Sequence, residues 1–234
     1  MTPKSLLFVP LLFWSCLAGY SQQESAVVPF RVRVVLNDPA NPSADLFYTD
    51  QVGSISKLEF EYQNLSRPVM TQAINGSLVF YDKAAVDPEK REKSIAATCT
   101  IPAGAKQGAV VFFPSPAGIK PAYRTVFIDD SAKGFPKGEA RIITLLPIEA
   151  AIEVGEHKLP IHPGQIARLP PVKKVSEYNM AQTNFFYKQG EAWTIFTERQ
   201  LQYLDGFRRI FIVQTTPGAA QPSVLSILDS TVPQ

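Results

Sequence analysis

Two histidines, their neighbouring glutamates and a short run of aromatics are the residues whose types and spacing could do chemistry. His157 and His162 stand five apart, with Glu153 and Glu156 just ahead of them. A zinc site needs three or four ligands in a tetrahedral array. Side chains five apart on a regular strand project from opposite faces. The cluster therefore reads as turn residues of a surface hairpin, and no metal or cofactor is expected. Asp129 and Asp130 are neighbours, so on a strand they too point apart, and they lack the spaced acids of a calcium loop. A turn role, with an Asp carboxylate taking backbone amides, fits them better. Asp129 and Glu153 are the acids a secreted hydrolase would draw on, given two carboxylates roughly 5 to 10 Å apart in one cleft.

Phe185, Phe186, Tyr187 and Trp193 crowd together around a hairpin turn at 188–191. Exposed and coplanar, Tyr187 and Trp193 would form a platform for sugar rings; buried, they are core, the commoner role of such side chains. Cys99 sits in an apolar stretch, 96–101, and no base lies near it in sequence, so it reads as a small buried hydrophobe. Lys173-Lys174 and Arg208-Arg209 read as solvated basic pairs. With 23 Lys and Arg against 21 Asp and Glu, the chain lacks the field of a nucleic-acid binder. G-x-S-x-G, H-E-x-x-H, Walker A and G-x-G-x-x-G patterns are missing, and no enzyme activity is expected.

The elements that must position these groups are strands. Among 234 residues, 20 Pro and 13 Gly interrupt the chain too often for long helices. Residues 30–36 (FRVRVVL) alternate Arg31 and Arg33 against Val32 and Val34, the period of a half-buried strand. Residues 58–62 (LEFEY) alternate again, with Glu59 and Glu61 outward. Further strands are expected at 78–81, 95–101, 110–113, 123–128, 140–146, 151–154, 165–169, 184–187, 193–197, 209–214 and 224–228, rich in β-branched and aromatic residues. Asn75-Gly76, Pro136-Lys137-Gly138 and Pro163-Gly164 are among the turns between them. Residues 87–93 and 197–202 read as loops, each with room for one helical turn. Ile101-Pro102-Ala103-Gly104 and Ile161-His162-Pro163-Gly164 echo one another as turns entering strands.

The first residues read as an export signal: Lys4, an apolar run over 5–17, then Gly19 and Ser21 before a cut at Gln22. That run is too short to span a bilayer. The mature chain keeps Cys99 as its one cysteine, and no other segment could span a membrane.

The block from Phe127 to Arg141, containing Phe135-Pro136-Lys137-Gly138, resembles one found in exported, largely uncharacterised bacterial β-sandwich proteins. The hairpin from Gly155 to Pro163-Gly164, the Trp193 strand and Arg209-Ile210-Phe211-Ile212 extend the resemblance; Thr144 stands where that block carries Asn. The resemblance implies fold and export and carries no established activity.

The expected architecture is all-β: a signal peptide at 1–21, then two packed immunoglobulin-like antiparallel sandwiches at 28–117 and 120–230, divided at 114–118. One larger sandwich is the alternative. The expected function is a non-catalytic exported protein, periplasmic or extracellular, acting as a structural or interaction module of the bacterial cell envelope. Its partner would be an envelope protein or a glycan, with no nucleic acid. A carbohydrate-binding module using Tyr187 and Trp193 is the alternative.

Overall fold

β-Branched and aromatic runs closed by Gly, Pro and Asn turns give strands almost throughout. The computed structural model describes residues 26–61, 63–216 and 218–230. The expected signal peptide lies outside them. Eight strands build the first half: β1 (Val27–Leu36), β2 (Phe47–Thr49), β3 (Ile55–Lys57), β4 (Val69–Ile74), β5 (Ser77–Tyr81), β6 (Ile95–Thr100), β7 (Gln107–Pro114) and β8 (Tyr123–Asp129). Eight more build the second: β9 (Ala140–Thr144), β10 (Ala150–Val154), β11 (His157–Ile161), β12 (Ile166–Leu169), β13 (Met180–Gln189), β14 (Ala192–Gln202), β15 (Arg208–Thr215) and β16 (Pro222–Asp229). Among the described residues, no helix is long and apolar enough to cross a membrane.

The two halves follow one strand plan. In the first, β1 lies between β4 (antiparallel) and β7 (parallel), and β8 hairpins onto β7. In the second, β9 lies between β12 (antiparallel) and β15 (parallel), and β16 hairpins onto β15. The other layer is β3-β2-β5-β6 in the first half and β11-β10-β13-β14 in the second. One turn makes the difference between them. Asn75 and Gly76 both take positive φ, 50° and 73°, the tight hairpin geometry that joins β4 to β5 and fuses the two layers into one sheet. The equivalent β12–β13 link passes through Pro170 and Pro171 instead, and there the layers are separate sheets. The turn echo at 101–104 and 161–164 joins positions that are not equivalent in this plan.

Side-chain parity then sets three cores. Phe30, Val32 and Val34 of β1 and Val110 and Phe112 of β7 face Leu78, Phe80, Ala97 and Cys99 inside the first half. Ile142, Phe211 and Val213 face Ile152, Ile161 and Phe185 inside the second. The opposite parity of the same central strands builds a third core between the halves, where Val35, Val111 and Phe113 meet Ile143, Ile210 and Ile212. Strands buried on both faces read as continuous apolar runs, which accounts for AVVFF at 109–113 and IFIV at 210–213.

Several expectations are corrected by this packing. Arg33 is not outward: it is 1% exposed, because the face it shares with Val35 is the face the second half covers. Pro114 closes β7 and residues 115–118 begin the loop to β8, which pairs with β7 along its length, so this Pro-rich segment links two strands of one sheet. The chain crosses between halves after Asp129. Residues 58–61 are not a strand; Leu58 and Phe60 are pinned to the first core from an irregular segment, Phe60 edge-on to Phe112. Residues 197–202 continue β14 because they pair with β13. The 87–93 loop holds a short 3-10 turn at Pro88–Ser94.

Gly108 shows how tightly the first core is filled. A Cβ there would overlap the Phe127 ring. Gly108→Ala is expected to destabilise by about 1–3 kcal/mol, the usual range for overpacking. Chemical denaturation measures it, and an unchanged midpoint would show that Phe127 yields freely.

Candidate functional site

Among the described residues, a four-member cluster of paired charges is buried between the halves. Arg33 on β1 and Arg208 on β15 each bond both Asp130, just past β8, and Asp229, at the end of β16. Arg33 donates to Asp130 at 2.8 and 2.9 Å and to Asp229 at 2.7 and 2.9 Å. Arg208 donates to Asp130 at 2.7 Å and to Asp229 at 2.6 and 3.0 Å. All four residues are at most 3% exposed. Among the described residues, two cations and two anions meet here, all of them buried, in the manner of a fastening between the halves. Burial opposes the charge on Arg33, yet its bonds to Asp229 and Asp130 raise its pKa above the ordinary value.

Burial likewise works to raise the Asp229 pKa, but hydrogen bonds and charge from Arg33 and then Arg208 outweigh it and hold the carboxyl at about 2. An unfolded Asp titrates near ~3.9. The native state thus takes up this proton less readily than the unfolded state. Its contribution is full above about pH 5 and is lost as pH falls from about 4 through about 2. Denaturation midpoints are expected to fall over that acid window, and a stability that rose there would contradict the ring.

Outside the ring, the candidate residues scatter. Cys99 is buried in the first core, and burial pushes its thiol up to about 11, far from a nucleophile's range. His157 and His162 flank opposite ends of β11, about 17 Å apart by strand rise. His157 meets Glu156 and the Pro171 carbonyl, each at 3.2 Å, and His162 meets Glu149 at 3.1 Å. The Glu156 carboxylate accepts the backbone amides of Lys174 and Lys173, which hold it down at about 2. Among the described residues, no three His, Cys, Asp or Glu side chains gather as a metal site. Asp129 accepts the Ser131 amide at 2.9 Å, and Glu153 pairs with Lys158 at 3.6 Å on a different sheet. Arg208 is fully buried, contrary to the solvated pair expected, and Arg209 lies over Tyr203 and Phe211 while bonding Ser226.

Tyr187 and Trp193 do not form one platform. The two-residue turn after Gln189 sets Lys188 opposite Trp193 and Tyr187 opposite Thr194, so their side chains leave opposite faces of the sheet. Tyr187 turns inward, its ring 5.8 Å from Phe196 against the second core. Trp193 turns outward and is 46% exposed.

That outward face of β11-β10-β13-β14 is the best candidate surface. Cross-strand pairing lays it out in rows: Lys188 opposite Trp193, then Pro160, Ala151, Phe186 and Ile195, then Lys158, Glu153, Asn184 and Glu198, then Gln182 opposite Gln200. Trp193 and Ile195 share this face by simple alternation, and a bulge at the Phe185/Phe186 pairing, which skips Phe196, brings Glu198 and Gln200 onto the same face. The amides form a chain: Gln200 donates to Gln182, and Gln182 to Asn184, both at 2.9 Å. They floor an open groove of ≈460 Å³ walled by Lys174, Val175 and Ser176. Sequence reasoning named Phe186 in the aromatic run but chose Tyr187 and Trp193 as the platform, and it missed the amides, of which Gln182 and Asn184 share the even-number parity of Phe186 on β13.

A larger cleft, ≈650 Å³, opens at the edge of the inter-half junction beside Asn37, Asp38, Glu61 and Gln214. Its acids are already engaged. Asp38 accepts the Tyr123 hydroxyl at 3.0 Å and the Ala40 and Asn41 amides, and Glu61 accepts from Asn64. Burial, then the bond to Asp38, pushes the Tyr123 phenol up to about 12. Asn37 bonds Gln214 at 2.6 Å, tying the halves together across the cleft. Compared with known proteins, the chain matches no family model and no curated sequence.

Proposed function

We propose that the chain is a non-catalytic, exported binding module of the bacterial cell envelope, built as two immunoglobulin-like sandwiches fastened into one rigid body. Its working surface is the outer face of β10, β11, β13 and β14. One observation carries this reading. The face holds Trp193 and Ile195 at 46% and 37% exposure beside the amide chain, while among the described residues the four-member charge cluster of Arg33, Asp130, Arg208 and Asp229 is buried. Exposed apolar groups contiguous with ordered polar ones are the usual mark of a binding surface.

The test is retention of the purified mature protein on an isolated bacterial cell-envelope fraction. The double variant Trp193→Ala, Ile195→Ser removes only outward side chains and is expected to keep stability within about 1 kcal/mol. It is expected to lose retention. Equal retention of the folded variant would place the working surface elsewhere.

A further inference from the structure

Resting on that reading, we infer that the ligand of this face is an uncharged polysaccharide laid along β13 and β14. The charges of the face cancel. Glu153 pairs with Lys158 at 3.6 Å and Glu149 with Lys188 at 3.4 Å, while Glu198 and Lys174 add one charge of each sign. A polyanion or a polycation finds no field here to bind.

What remains is a graded strip. At the hairpin end, the Trp193 indole stands diagonal to half-buried Phe186 and beside exposed Ile195. An aromatic face carries negative quadrupolar charge and attracts the weakly positive C–H face of a sugar ring. Farther along, the bonds linking Gln200, Gln182 and Asn184 fix the orientation of three amides. Each primary amide has two donors and two lone pairs, so these bonds leave further donors and acceptors free to meet hydroxyls, which also both donate and accept. Holding the amides in advance removes side-chain ordering that binding would otherwise require. From Lys188 to Gln182 the strip runs about 20 Å by strand rise, long enough for an oligosaccharide and not a single sugar. A protein-docking surface would instead show an apolar centre ringed by polar groups. Here apolar and amide sections follow one another along the strands.

The experiment is affinity electrophoresis of the mature protein through gels containing, in turn, hydroxyethylcellulose, mixed-linkage β-glucan, xylan, glucomannan, amylose and glycol chitin, with dextran sulfate as the charged control. Retardation by at least one neutral polymer and none by dextran sulfate is expected. Trp193→Ala is expected to weaken it about tenfold, ~1.4 kcal/mol, with Trp193→Tyr restoring most of it. Gln182→Ala is expected to weaken it several-fold, and Tyr187→Phe, on the inner face, to leave it unchanged. Absence of retardation by every neutral polymer overturns the inference, as does retardation unaffected by Trp193→Ala in a folded protein. Envelope retention that depends on Trp193 while the neutral polymers fail would overturn the polysaccharide and leave the binding module standing.

Discussion

Asp229→Ala is expected to lower the unfolding free energy by about 3–5 kcal/mol, because it removes a carboxylate that two buried guanidinium groups both bond. Asp229 is fully buried and accepts from both Arg33 and Arg208. In a chain of this size the loss corresponds to a Tm drop of roughly 6–20 °C. Denaturant titration should move the midpoint and leave the slope unchanged, since the folded and unfolded surfaces are the same. A loss under about 1 kcal/mol would mean that the ring is not closed in solution. The complementary variant replaces all four charged residues by apolar ones of similar volume. Its expected result is neutral or more stable, because the desolvation cost of all four charges is removed together.

Phe135→Ala is the second large effect, also about 3–5 kcal/mol by the usual cost of emptying a buried phenylalanine site. Phe135 is fully buried in the third core. The Arg208 and Arg141 guanidinium carbons lie 4.5 and 4.7 Å from its ring centre, and its carbonyl accepts from Arg208 at 3.0 Å. The residue therefore positions the ring as well as filling space. Phe135→Leu restores most of the volume but not the π face, so its residual cost is expected at about 1–2 kcal/mol. A double-mutant cycle between Phe135→Leu and Arg208→Met separates packing from this contact. A coupling near zero would show that the ring stacks on Phe135 without energetic consequence.

The all-β character was legible because apolar runs at 109–113 and 210–213 and the Gly and Pro turns between strands are local signals. What was not legible depended on what each face meets. Arg33 looked solvated by alternation alone, since nothing in β1 announces that a second half covers its outer face. Arg208 was misread for the same reason. Pro116 falls in the β7–β8 loop and Pro114 at the last position of β7, and local chemistry cannot separate a hairpin loop from a boundary. β4, with the sequence VMTQAI, carries a weak pattern and is specified mainly by its pairing with β1. The Tyr187–Trp193 error was one of parity. Placing the turn after Gln189 puts the two rings on opposite faces, and the same parity would have promoted Phe186, Asn184 and Gln182.

The shared strand plan has a consequence for assembly. Equivalent layers, β4-β1-β7-β8 and β12-β9-β15-β16, meet each other across the third core, as matching surfaces do in an isologous dimer. Here both subunits are one polypeptide, tethered through 130–139, so their association is intramolecular, at an effective concentration in the millimolar range typical of short linkers. Dilution cannot separate them. The tether also frees the two copies from identity. Asp130 and Asp229 occupy equivalent strand ends, but opposite them stand Gln107 in one half and Arg208 in the other. A symmetric dimer would have to place the same residue at both positions, and a second arginine there would add a buried cation. Fusion permits one copy to hold glutamine, a neutral side chain, where the other holds arginine.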